Sequence, residues 1–166
     1  MFADNISSRT HMIFSIRAEE TDADREFIEG LNPRLTEVIE SPAHSKGDVE
    51  LFQDGYTATS WNSDIGKNAT FIAIKECGER IGYVNVREGM DEIAGKKCGY
   101  IALLAVKPEA EGQGVAHSLV NEAEQWAKKM GYARLALDVF ASNDRGLRFY
   151  EKAGFRYETI RVIKRI

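Results

Sequence analysis

Cysteine is nearly missing from this chain: Cys77 and Cys98 are the only two among 166 residues. Two isolated thiols make neither a metal site nor a disulfide framework, so a reducing, cytoplasmic setting is the default expectation. Basic charge is not in excess either. Twenty-two Lys and Arg stand against 26 Asp and Glu, a net charge of −4, which argues against a general nucleic-acid binder and mildly favours a cationic substrate. No apolar run approaches the roughly 20 residues that cross a membrane, and no signal-peptide core precedes a small-residue cleavage site. What is there is ordinary for a globular chain: 43% hydrophobic and 29% charged residues, at a length suited to one domain with a real core.

The most informative stretch is Ile101 to Leu119. An apolar run ends at Lys107-Pro108, a short loop follows, then Gly112-Gln113-Gly114, then an amphipathic segment. This pattern predicts a strand, a glycine turn and a helix start. The first helical turn carries amide N–H groups without intrahelical partners, at the positive end of the helix dipole. With no side chains at Gly112 and Gly114, an anion such as a diphosphate can approach the bare backbone. Two familiar phosphate motifs lack their required pieces. A P-loop would follow its last glycine with Lys and Ser or Thr, and Gly114 is followed by Val115-Ala116. A dinucleotide fingerprint would need Gly where His117 stands, and its acidic partner would come earlier than Asp138.

Around this stretch the chain reads in order. Residues 1–12 are a polar leader without periodicity, expected to be flexible, and 13–166 form one domain. Met12 to Arg17 reads as a first strand. Thr21 to Asp24 offers N-caps for a helix carrying Phe27, Ile28 and Leu31. Pro33 cuts that helix, and Leu35, Val38 and Ile39 make a second short apolar face before a loop from Ser41 to Gly47. From Asp48 to Trp61 the spacing is weakly helical, and Phe52, Tyr56 and Trp61 are aromatic candidates for a pocket wall as well as for plain core. Ala69–Lys75 and Arg80–Val86 predict a hairpin turning at Gly78. Glu88–Lys97 reads as a second connection, and Cys98–Val106 as the third strand of a meander.

Val115, Leu119, Val120, Ala123, Trp126, Ala127 and Met130 recur at three- and four-residue intervals, so a helix ends at Gly131 with Trp126 in the core. Ala133–Phe140 alternates Leu135, Leu137 and Val139 against Arg134, Ala136 and Asp138, as a strand does. Strand, crossover helix and strand make a βαβ unit with a parallel pair. Ser142 or Asn143 can cap a further short helix closed by Gly154. Asn143 and Tyr150 are seven residues apart, about two helical turns and roughly 10 Å along the axis. Phe155–Tyr157 and Thr159–Ile166 read as closing strands, the last an edge available to a second subunit, which would make a homodimer.

Two strings carry a resemblance. Glu111-Gly112-Gln113-Gly114-Val115-Ala116, after Leu104-Ala105-Val106-Lys107-Pro108, resembles the coenzyme-A-binding motif Q/R-x-x-G-x-G/A of the GCN5-related N-acetyltransferases (GNAT). Ala141 to Phe155 is similar to the same family's A-x-N-x-x-A-x-x-x-Y-x-x-x-G-F, with Gly146 in place of the usual alanine. Together they span about residues 98–157. Glu111 departs from the pattern, and an acid beside a diphosphate is locally unfavourable.

The resemblance implies an α/β (α+β) single-domain fold, a mixed and mostly antiparallel central sheet flanked by helices. It implies acetyl-CoA as co-substrate, held by the backbone of Leu104, Ala105 and Val106, by Gly112, Gln113, Gly114, Val115, Ala116 and His117, and by Asn143. The acceptor would be a primary amine of a small molecule or a peptide N-terminus, with no nucleic acid, no membrane and no metal involved. The resemblance also points to a backbone N–H near Leu104 or Ala105 for the oxyanion that amine attack creates. An acid near the sulfur helps the thiolate leave, and a base must take the amine proton. Tyr150 is the candidate acid and Asp138 the candidate base, with Glu88 and Asp91 as alternatives to Asp138. Two other readings stay open: a non-catalytic acyl-CoA-binding or regulatory module of the same fold, toward which Glu111 leans, and a nucleotide-dependent oxidoreductase.

Overall fold

The computed structural model describes residues 11–166, so most of the expected leader, residues 1–10, lies outside the described residues. Five strands form one sheet in the order β1-β2-β3-β4-β5. They are β1 Phe14–Ala18, β2 Asn68–Lys75, β3 Arg80–Asp91, β4 Lys96–Val106 and β5 Leu135–Ala136. The first four are antiparallel neighbours, and β5 joins β4 in parallel. Five helices flank the sheet: α1 Asp22–Gly30, α2 Asn32–Thr36, α3 Lys46–Thr59, α4 Val115–Lys129 and α5 Asp144–Lys152. This is the mixed, mostly antiparallel α+β architecture expected from the sequence. Among the described residues, no helix is long and apolar enough to cross a membrane.

Local chemistry sets the helix starts. Thr21 and Asp24 form a reciprocal capping box at α1, and Ser45 and Asp48 do the same at α3, each satisfying amides that the first turn leaves free. Pro33 sits in the first turn of α2, where its missing N–H costs nothing. The stretch from Asp48, weakly helical in sequence, is therefore a regular helix. Its apolar spacing is poor because only Val49 and Thr57 are buried along it.

The sheet separates two cores. On one face, Val115, Leu119, Val120, Ala123, Trp126 and Ala127 of α4 pack on Ile81, Val84, Val86 and Ile101. Each Val, Leu or Ile side chain there contributes about 1.5–3 kcal/mol on burial. On the other face Ile28 and Leu31 pack on Ile72, Tyr83, Leu103 and Ala105. The close seat of α4 requires Gly99, where a Cβ would come within 2.8 Å of the Ala127 Cβ.

Three expectations need correction. The Glu88–Lys97 connection is shorter than predicted. Both strands run on, with Gly89 opposite Cys98, and only residues 92–95 turn. Gly89 is a packing glycine of the strand and not a turn residue, since a side chain there would meet the Tyr100 Cβ at 2.9 Å. The strand expected over Ala133–Phe140 pairs only at Leu135 and Ala136. Beyond them β4 shifts register against β3 between Asn85 and Val86, with Ile101 and Leu103 pairing around an extra residue. Such a bulge bends the strand, and Leu137–Phe140 runs alongside it without ladder bonds. The closing strands over Phe155–Tyr157 and Thr159–Ile166 do not form, and all residues from Arg156 onward are exposed. β-propensity alone makes no strand when no sheet edge lies opposite the chain.

Candidate active site

The divergence of β4 from the segment after β5 opens a cleft of about 120 Å³. One wall is β4 from Ile101 to Leu104, and the other is Leu137–Phe140 together with Asn143 and Tyr150. Arg34, Leu35, Val38 and Ile39, with Gln53 of α3, close its remaining side. Leu104, Asp138, Asn143 and Tyr150 thus meet in one place, although 46 sequence positions separate the first from the last.

The free edge of β4 has a definite parity. Lys107 N–H donates to the Ile81 carbonyl at 2.8 Å, and antiparallel ladder bonds alternate residue by residue. Lys107 and Ala105 therefore direct their backbone groups at β3, while Leu104 and Val106 direct theirs away from it. The Val106 carbonyl accepts from Arg34 Nε at 3.4 Å, on that outer side. Of the two backbone candidates for an oxyanion donor, Leu104 has its N–H on the cleft edge and Ala105 does not.

The glycine turn stands where β4 ends. Gly112 and Gly114 have φ of +72° and +81°, left-handed values that L side chains rarely adopt. A Cβ at either would meet nothing within 4 Å, so what these residues keep clear is the space outside the protein. Gly114 is the N-cap of α4 and offers no capping side chain. The amides of Val115, Ala116 and His117 begin the helix and have no intrahelical acceptors. Val115 is buried at its side chain, while Gln113 and His117 are exposed. The fit of a diphosphate here rests on that bare, unobstructed backbone.

Asn143 is the N-cap of α5, its Oδ1 accepting from Gly146 N–H at 2.9 Å. It lies just off the helix, yet it still lines the cleft with Tyr150. Gly146 makes this possible: a Cβ there would sit 2.6 Å from Asn143 Nδ2. The Tyr150 ring is held edge-on between Phe149 and Phe155, with centroids at 5.1 and 5.6 Å. Burial pushes its phenol well above the ordinary tyrosine range, so it keeps its proton throughout the neutral range.

Asp138 is exposed on the cleft wall and accepts from the Tyr100 hydroxyl at 2.8 Å. Burial first, and then the Asp138 carboxylate, push the Tyr100 phenol up, which keeps it a donor. Sequence reasoning missed Tyr100; its signal was faint, a polar-tipped aromatic at the head of the aliphatic run Ile101–Val106. The alternative acids point elsewhere. Glu88 binds Lys97 and the Tyr132 hydroxyl, and Asp91 binds Arg134 and the Ala94 amide. Neither lines the cleft. Of the aromatic candidates, Tyr56 and Trp61 pack against the second core, whereas Phe52 is exposed and edge-on to Phe140 on the cleft wall.

The chain matches the family model described as the acetyltransferase (GNAT) family over residues 34–155. The N-alpha-acetyltransferase 30 of Schizosaccharomyces pombe is 36% identical over 63 residues, 37% of this chain, and the match spans 42% of that protein. An aminoglycoside N(6')-acetyltransferase type 1 of Klebsiella aerogenes is 28% identical over 133 residues, 74% of this chain and 87% of that one. Among solved structures, the aminoglycoside N-acetyltransferase AAC(6')-Iy in complex with CoA superposes with a TM-score of 0.66 at 24% identity. That match covers 93% of this chain and 95% of the other.

Proposed function

The chain belongs to the acetyltransferase (GNAT) family and carries that family's acetyl-CoA-dependent N-acetyltransferase domain; on that premise we propose that it moves the acetyl group in one direct step to a primary amine, of a small molecule or a peptide N-terminus. The carrying observation is the convergence of Leu104, Asp138, Asn143 and Tyr150 on one cleft beside a bare helix start. Acetyl-CoA, when bound, supplies an activated acetyl thioester. The residues that would hold it are the amides from Gln113 to His117 for the diphosphate, the outer edge of β4 at Leu104 and Val106 for the arm, and Asn143 beside it. Ala105 contributes backbone facing β3, and so shapes the strand without reaching the ligand.

Placement in the cleft supports each remaining role. Leu104 N–H, on the cleft edge of β4, would donate to the thioester carbonyl oxygen, where negative charge develops. With acetyl-CoA bound, Tyr150 would supply a proton to the sulfur as the thiolate leaves. Asp138 takes the amine proton, directly or through a water, while Tyr100 holds its carboxylate. An amine that arrives protonated is a cation, and the net charge of −4 favours its approach. That relatives are named as an N-alpha-acetyltransferase and as an aminoglycoside N(6')-acetyltransferase supports an amine acceptor of either kind.

Tyr150→Phe tests the assignment. We expect kcat to fall about 10²-fold or more while the acetyl-CoA dissociation constant stays put, because the hydroxyl acts on the departing sulfur. An unchanged kcat would remove Tyr150 from the mechanism. Thermal shifts separate the oxidoreductase reading, since acetyl-CoA should raise the melting temperature by mass action and NAD should not. A panel of amine acceptors, followed by free thiol release, then narrows the substrate and excludes the non-catalytic module if any amine turns over.

A further inference from the structure

Glu111 precedes Gly112 directly, so its carboxylate stands at the mouth of the glycine turn. Two guanidinium groups from distant elements meet it there. Arg34 of α2 donates through Nη2 to Oε1, and Arg145 of α5 reaches Oε2 through Nη1 at 2.7 Å. Arg34 also donates through Nε to the Val106 carbonyl at the end of β4, and its Nη1 pairs with Glu37. The bridge runs from α2 over the end of β4 to the second residue of α5. Arg34 also lines the cleft that holds Tyr150.

We propose that Arg34 and Arg145 are phosphate-binding side chains of the coenzyme site, and that Glu111 is a place-holding anion that keeps both guanidinium groups there until a diphosphate takes them. The inference rests on the reading that the diphosphate lies at the glycine turn. An acid fixed at that turn repels an anionic ligand unless cations offset it, and two guanidinium groups meet Glu111 there while Glu37 pairs with Arg34 alone. Arg145 spends one of its five N–H donors on Glu111 and is 67% exposed, so most of its fork is free for phosphate oxygens. The planar fork suits a phosphate as well as a carboxylate, so exchanging one anion for the other needs little rearrangement. Glu37 stays on Arg34 Nη1 and holds the guanidinium in position.

Isothermal titration of the full chain with CoA decides the point. Glu111→Gln removes the internal anion and should tighten CoA binding about fivefold. Arg145→Gln should weaken it about tenfold and flatten the dependence of the dissociation constant on salt. Pantetheine, which lacks every phosphate, should bind the wild type and both variants alike. If Glu111→Gln leaves CoA affinity unchanged or weakens it, the carboxylate merely ties α2 to α5 and the inference falls. If Glu111→Gln fails to fold, Arg145→Gln at its exposed position decides alone, and wild-type affinity there overturns the proposal. A wild-type chain that binds no CoA would bring down the active-site reading as well, which separates the two failures.

Discussion

Tyr100 gains its meaning from one contact, the 2.8 Å hydrogen bond to Asp138 from a residue 38 positions away. Nothing in the local pattern of β4 announces it, since a half-buried tyrosine in a strand reads as packing. If Tyr100 acts by holding the Asp138 carboxylate, the two residues form a unit and their substitutions will not add. We expect Tyr100→Phe to lower kcat about tenfold with acetyl-CoA affinity unchanged. The double variant with Asp138→Asn should be no slower than Asp138→Asn alone. Additive losses in that cycle would return Tyr100 to a purely structural part. Glu111 is the converse case. In sequence it is a misplaced acid, and in the fold it is enclosed by two arginines.

Between strand and helix, the glycine turn is the element on which coenzyme binding depends. Its two left-handed residues were legible because only glycine is at ease there, and the helix behind it was legible because its apolar stripe repeats at helical spacing. Gly114→Val should cost about 1–2 kcal/mol in backbone strain and abolish measurable CoA binding, with circular dichroism showing the fold retained. Normal affinity in that variant would move the diphosphate away from this turn. The segment after β5 was less legible. Its alternation of Leu135, Leu137 and Val139 with Asp138 is right for a strand and matches the burial along it, yet only two residues pair. The bulge in β4 opposite sends the two backbones apart, and this divergence is what makes the cleft.

For the molecule as a whole, one buried carboxylate clips three parts together. Asp24 of α1 has no exposed surface and accepts from Arg17 of β1 at 2.8 and 2.9 Å and from Arg80 of β3 at 2.5 Å. The amides of Glu20 and Thr21 complete its shell. The Arg17 hydrogen bonds, more than offsetting burial, hold this carboxyl far below the usual range. A depressed acid stabilises the fold above its unfolded pKa of about 3.9 and loses that contribution as pH falls below it. We therefore expect urea stability to decline steeply below about pH 4. Asp24→Asn should cost about 3 kcal/mol at neutral pH and flatten that acid limb. A variant as stable as the wild type at pH 7 would contradict the clip.

The order of strand, glycine turn, helix, strand and capped helix was available from the chain alone, because each part depends on neighbours a few residues apart. Helical spacing, caps such as Thr21, left-handed glycines and the interval from Asn143 to Tyr150 are short-range chemistry, and they sufficed for the fold class and for naming Asn143 and Tyr150, which line the cleft. Pairings across the fold were not available. Arg34 and Glu111 are 77 residues apart, and their meeting at the mouth of the turn depends on where α2 is packed against the sheet. The parity that turns Leu104 toward the cleft and Ala105 away, the early parting of β4 and β5, and the unpaired chain after Gly154 have the same origin. Each depends on which backbone edge faces which, a matter settled by packing over distances that no local pattern of side chains encodes.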